Sequence, residues 1–100
     1  MLIVLAEATI GEGALEEARA AFTAMIEESR KEEGCIAYSY AVDVLDPAKL
    51  IIVEKWVDDA ALAYHFGTPH MAAFQGALAG LDISITELKK FQADDGSPLS

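Results

Sequence analysis

Glu54, Trp56, Tyr64, His65, His70 and Phe74 fall between residues 54 and 74 and supply nearly all the residue types that acid–base or ring-stacking chemistry needs. His65 follows the apolar Leu62 by three positions. As a general base it would take a proton from an aromatic hydroxyl, because an unperturbed imidazole titrates near working pH. The alternative is a partly buried histidine hydrogen-bonded to Glu54 or to the backbone. Glu54 shares a strand face with Trp56 and could orient an imidazole. Otherwise it is an ion pair or bonds a helix terminus, since a half-buried carboxylate needs a partner. His70, just after Pro69, would begin a helix, where the dipole disfavours its protonation. It reads as a neutral ligand-binding histidine or as a positioning or interface residue. Trp56, Tyr38, Tyr40 and Phe74 are candidates for the wall of a pocket that stacks a flat aromatic molecule; aromatics at strand spacing also serve as plain core. Tyr64 is expected at the surface or an interface.

The elements that must position these groups follow from spacing. Residues 2–8 read as a strand buried on both faces, ended by Gly11-Glu12-Gly13. Leu15, Ala18, Phe22, Met25, Ile26 and Ser29 recur at helical spacing, with Glu16, Glu17, Arg19, Glu27, Glu28 and Lys31 opposite. Gly34 stands where a left-handed helix end would. Cys35 to Leu45 predicts a second strand, with Ile36, Tyr38, Tyr40, Val42 and Val44 on one face. Asp46-Pro47-Ala48-Lys49 is a turn, and Leu50 to Val57 completes a hairpin with Leu50, Ile52, Glu54 and Trp56 on one side. Asp58 or Asp59 caps a short helix over 60–66. Thr68 and Pro69 then start another, running to about residue 78. Residues 83–91 predict a last strand, with Ile83, Ile85 and Glu87 facing one way. The order β-α-β-β-α-α-β predicts an α+β fold, the ferredoxin-like split βαβ sandwich. Residues 1–92 are expected to form the domain and 93–100 a loose tail.

Composition narrows the function. Seventeen acidic and seven basic residues give a formal charge of −10, which argues against nucleic-acid and membrane-surface partners. No apolar run reaches the roughly 20 residues needed to span a bilayer. The opening apolar run lacks a basic flank and meets Glu7 at once, so it reads as a strand rather than a signal peptide. One cysteine in the chain and no targeting signal point to the cytoplasm. A hydrophobic content of 53% in 100 residues predicts an apolar face covered by a second copy. No metal site is expected, because His65 and His70 are separated by Gly67-Thr68-Pro69 and would not share a helix face. No phosphate-binding or dinucleotide-binding glycine pattern occurs.

Glu33-Gly34-Cys35-Ile36-Ala37-Tyr38, Asp46-Pro47, Glu54-Lys55-Trp56, Leu62 with His65, Thr68-Pro69-His70 and Phe74 together resemble the antibiotic biosynthesis monooxygenase family, and within it the small bacterial quinol-monooxygenase-like members. The resemblance runs from residue 2 to about 91. It implies a homodimeric α+β barrel and cofactor-independent oxidation of a quinol or polycyclic phenol by molecular oxygen. His65 and Glu54 would then be the catalytic pair, with Trp56, Tyr38, Tyr40, His70 and Phe74 against the substrate. The family also contains an isomerase and haem-degrading enzymes, so a cofactor-free isomerase or tautomerase, or a non-catalytic dimer binding a small aromatic, stands beside the oxygenase. The chain has no asparagine, a residue on which the haem-degrading relatives depend, and that activity is disfavoured. The scarcity of basic residues favours a neutral aromatic substrate over a phosphorylated one.

Overall fold

Alternate residues from Leu2 to Ile10 are buried, and this period of two makes β1 (Leu2–Ile10) a strand with one face on a core. The computed structural model describes residues 1–99. After β1 come α1 (Ala14–Arg30), β2 (Cys35–Val42), β3 (Lys49–Trp56), α2 (Asp59–Phe66), α3 (Pro69–Leu78) and β4 (Ile83–Gln92). The strands form one antiparallel sheet in the order β2-β3-β1-β4. This is the expected α+β ferredoxin-like sandwich. Leu2 and Val4 of β1, Tyr38 of β2 and Trp56 of β3 pack against Met25 of α1, Leu62 of α2 and Met71 of α3. All three helices therefore cover the same sheet face. Beside this cluster Ala6, Ala8, Ala18, Phe22, Leu50 and Ile52 form a second one. Among the described residues no helix is long and apolar enough to cross a membrane.

Several local expectations change. The face of β1 carrying Ile3, Leu5, Glu7 and Thr9 is only half-buried or exposed, so the strand is not buried on both sides within the protomer. The second strand stops at Val42 because Asp43 Oδ1 accepts the Leu45 and Asp46 amides at 2.7 and 3.1 Å, closing a local turn. Val44 and Leu45 are consequently exposed. In β2 the register shifts between Cys35 and Ala37, leaving Ile36 as the extra residue of a bulge, exposed to solvent. Cys35, rather than Ile36, packs on the core. A second shift pairs Glu7 with Glu87 but Ala8 with Ile85. Thr86 is thereby skipped, and its hydroxyl bonds the Glu7 carbonyl at 3.2 Å. The skip exchanges the faces of β4, so Leu88 joins the side of Ile83 and Ile85 while Glu87, Lys89 and Phe91 share the open face. Residues 93–99 contain no helix or strand; Ser100, the last residue of the expected tail, lies outside the described residues.

The helix-ending residue is Lys31, in an ordinary right-handed conformation, and Gly34 has no positive φ. What the position requires is space. A Cβ there would stand 2.3 Å from Ala61 Cβ and 3.2 Å from Val57 Cγ2, because the α1–β2 turn lies directly against α2. Gly34→Ala is expected to lower unfolding free energy by about 1–3 kcal/mol through this overlap. In urea titrations the loss for Gly34→Ala with Ala61→Gly should be smaller than the sum of the single losses. Additive losses would show that the contact is not the cause.

Candidate active site

The β2–β3 hairpin sets the geometry. Cys35 pairs with Trp56, so the turn preceding Cys35 lies beside the chain leaving Trp56. In that turn the Glu32 amide bonds the Ser29 carbonyl and its own carbonyl accepts from Cys35, both at 3.1 Å. Past Trp56, Asp58 caps α2 by accepting the Ala61 amide at 2.9 Å. His65 sits near the end of α2. Thr68 then joins two helices: its hydroxyl donates to the His65 carbonyl at 2.7 Å and accepts the Met71 amide at 3.3 Å. With Pro69 at the first helical position, His70 falls in the opening turn of α3.

These elements bring Glu32, His65 and His70 together. Glu32 Oε2 lies 2.6 Å from His65 Nδ1 and 2.7 Å from His70 Nε2. With Glu32 ionised, both contacts are imidazole N–H groups donating to one carboxylate oxygen. The other oxygen, Oε1, is buried without a partner. The side chains of His65 and Glu32 are 1% and 5% exposed, and that of His70 is 18% exposed. The His65 ring is held by Trp56, centroid to centroid 4.6 Å, and by Tyr38 at 5.5 Å. Glu32 and His70 border an open cleft of about 790 Å³, together with Glu28, Gly34, Val57 and Tyr64. Tyr64, expected at the surface, is exposed there.

The other expected site residues fall elsewhere. Glu54 is buried, and its Oε1 accepts from Trp56 Nε1 at 2.9 Å, so the carboxylate bonded to His65 is Glu32 instead. Burial raises the Glu54 carboxyl above the usual range, opposed by the Trp56 N–H and by His65 and reinforced by Glu32. Trp56 and Tyr38 are wholly inside the core and, with Tyr40 and Phe74, none borders the cleft. Their polar tips are satisfied internally: the Tyr38 and Tyr40 hydroxyls meet at 3.0 Å. Burial pushes both phenols above their ordinary range. Of the expected lining group, only His70 borders the cleft.

Glu32 was not expected from the sequence. It precedes His65 by 33 residues and His70 by 38, and it is one acid among seventeen. The usable signal is indirect: the hairpin register places whatever precedes Cys35 beside the start of α2. The separation of His65 and His70 by Gly67-Thr68-Pro69 also has a different consequence from that expected. It creates two helices whose ends meet, so the histidines converge without sharing a helix face.

A family model described as antibiotic biosynthesis monooxygenase matches residues 1–77. A Synechocystis protein called uncharacterized protein sll1783 is 42% identical over 59 residues, covering 59% of this chain and 40% of that protein. The Escherichia coli protein called "Probable quinol monooxygenase YgiN" is 33% identical over 67 residues, covering 59% of this chain and 64% of that one. The chain thus spans less than two thirds of the length of either relative. A crystal structure of a Deinococcus radiodurans protein superimposes with a TM-score of 0.89 at 20% identity, covering 100% of this chain and 99% of that one. That likeness establishes the fold.

Thr68 fixes the carbonyl behind one histidine and the helix start beneath the other, so its loss should disturb both. Thr68→Ala is expected to cost about 1–2 kcal/mol of stability in urea unfolding, while Thr68→Ser retains most of it. The downfield ring N–H proton signals of the two histidines should persist in the serine variant and broaden in the alanine variant. Unchanged signals in both would remove Thr68 from the positioning role.

Proposed function

The chain belongs to the antibiotic biosynthesis monooxygenase family, and from that membership together with the part-buried Glu32–His65–His70 cluster we propose that it oxidises a quinol or polycyclic phenol with molecular oxygen and no cofactor. The observation that carries the mechanism is that Glu32 holds His70 by Nε2 while that imidazole borders the cleft. Nδ1 is then the ring nitrogen free to accept a substrate hydroxyl proton. A carboxylate on the opposite nitrogen fixes the tautomer and stabilises the imidazolium as it forms. His65, almost fully enclosed, acts through Glu32: its N–H keeps the carboxylate in place. The deprotonated ring is electron-rich enough to reduce oxygen. One oxygen atom enters the substrate, the other leaves as water with two substrate hydrogens, and the substrate supplies all four electrons. Support for the substrate class comes from the E. coli relative called a probable quinol monooxygenase and from the acidic, phosphate-repelling chain.

The test is oxygen uptake by metal-stripped protein with naphthoquinols and hydroxyanthrones, against a blank without protein. His70→Ala should lower turnover by about 10²–10⁴. Activity within about threefold of wild type would exclude His70 as the base. Product formed equally under argon would replace oxygenation with isomerisation.

We also propose that a second copy covers the open sheet face. Ile3, Leu5, Val53 and Phe91 adjoin there through the pairs Ile3–Phe91 and Leu5–Val53, and Leu5 and Phe91 are 40% and 47% exposed. An apolar patch of this kind is an interface by default. Light scattering should give twice the chain mass for wild type and the chain mass for Leu5→Lys. A monomeric wild type at micromolar concentration would exclude the dimer.

A further inference from the structure

Two imidazole nitrogens and a carboxylate oxygen, from three separate elements, lie within 4.8 Å of one another at Glu32, His65 and His70. We propose that these side chains form a binding site for a divalent cation of the zinc class, with one coordination position left towards the cleft.

Two histidines and one carboxylate are a combination that holds zinc with three protein ligands and leaves a fourth place open. His65 and Glu32 are sealed on the core side, and His70 is the member nearest solvent. Only the cleft side is open, which suits a four-coordinate ion better than one needing several exchangeable positions.

Glu32 Oε1 is buried with no partner, a costly state for half of a carboxylate in an interior. A cation bound at this carboxylate brings positive charge beside Oε1, which the two imidazole N–H groups on Oε2 do not contact. The surroundings also attract positive charge: Glu28 and Glu33 border the same cleft, and the chain carries a net −10. Lys31 is the basic side chain bordering the cleft, and its ammonium is engaged by Glu28 at 3.2 Å.

The present spacing is that of hydrogen bonds. Tetrahedral bonds of about 2.0–2.2 Å place donor atoms about 3.3–3.6 Å apart, so the contacts of 2.6 and 2.7 Å must lengthen by about 0.6–1.0 Å as the ion replaces the ring protons. Glu32 on a turn and His70 in the first turn of α3 are the groups that can shift. His65, packed on Trp56, is the fixed point.

This inference stands on the ligand geometry and is read without turnover, so it survives or fails independently of the oxidation reading. If both hold, they oppose one another. Zinc on His70 Nε2 moves that ring's remaining proton to Nδ1, the nitrogen that would act as base, so the loaded protein is an inhibited form.

The experiment is titration of tag-free, chelator-stripped protein with Zn²⁺ by calorimetry, and with Co²⁺ by visible absorption. Wild type should bind one ion per chain, show the intense visible bands of tetrahedral cobalt, and unfold at a higher temperature with zinc. Glu32→Gln and His70→Gln should each weaken zinc at least about tenfold. His70 is partly exposed, so its glutamine variant remains folded if the glutamate variant does not. Cys35→Ala, which removes the nearby thiol but no proposed ligand, should bind as wild type does. Absence of one-to-one saturation overturns the proposal. So does zinc affinity within about threefold of wild type in His70→Gln, or loss of binding in Cys35→Ala.

Discussion

A carboxylate buried behind a helix–turn–strand corner is the constraint around which the site is organised. Glu32 is 5% exposed, and an ionised group so placed costs several kcal/mol unless charge or hydrogen bonds replace its water. The replacements come from His65 and His70, carried by helices far from Glu32 in sequence. Satisfying one side chain therefore requires the α1–β2 turn, the end of α2 and the start of α3 to meet at a single point. Gly34 allows the turn to approach α2 by lacking a Cβ. Thr68 fixes the junction of α2 with α3 through two hydrogen bonds from one hydroxyl. Each is a local device, and each is needed because the carboxylate cannot be left dry and alone.

The sheet provides the rigid reference. Its register brings Cys35 opposite Trp56, and Trp56, wholly buried, supplies the surface on which His65 lies. Truncating a buried tryptophan typically costs about 3–5 kcal/mol, so this is one of the stiffer positions in the fold. The bulge at Ile36 serves the same end, because it lets Cys35 face the core while the strand beyond it keeps Tyr38 and Tyr40 inward. The aromatic residues thus support the polar cluster from behind and do not border the cleft.

Most of the architecture was legible because it depends on short-range patterns. The alternation of Leu50, Ile52, Glu54 and Trp56, the caps at Asp58 and Thr68, and the order of elements all survive in the structure. The bulges were not legible, since Ile36 and Thr86 differ in no local way from paired strand residues; only the partner strand reveals that they are skipped. Tyr38 and Trp56 misled for a related reason. A buried polar tip demands a partner, and a pocket edge is one way to supply it, but Tyr40 and Glu54 meet the demand inside the core. Glu32 escaped notice because its importance is entirely non-local.

The electrostatics of this corner favour cations over anions. Glu32 and Glu54 are both enclosed, and the charge of Glu32 adds to burial in raising the Glu54 carboxyl and the Cys35 thiol. Arg30, the basic group that acts against this at Cys35, is committed through Nε to the Tyr38 carbonyl at 2.9 Å. The local field therefore favours a cation over an anion in the cleft. For a phenolic substrate, this field would raise the energy of the phenolate, which works against deprotonation while making that anion a stronger reductant. Such a site is suited to a substrate that enters neutral and is consumed soon after losing its proton. It is poorly suited to a phosphorylated ligand that must remain charged throughout.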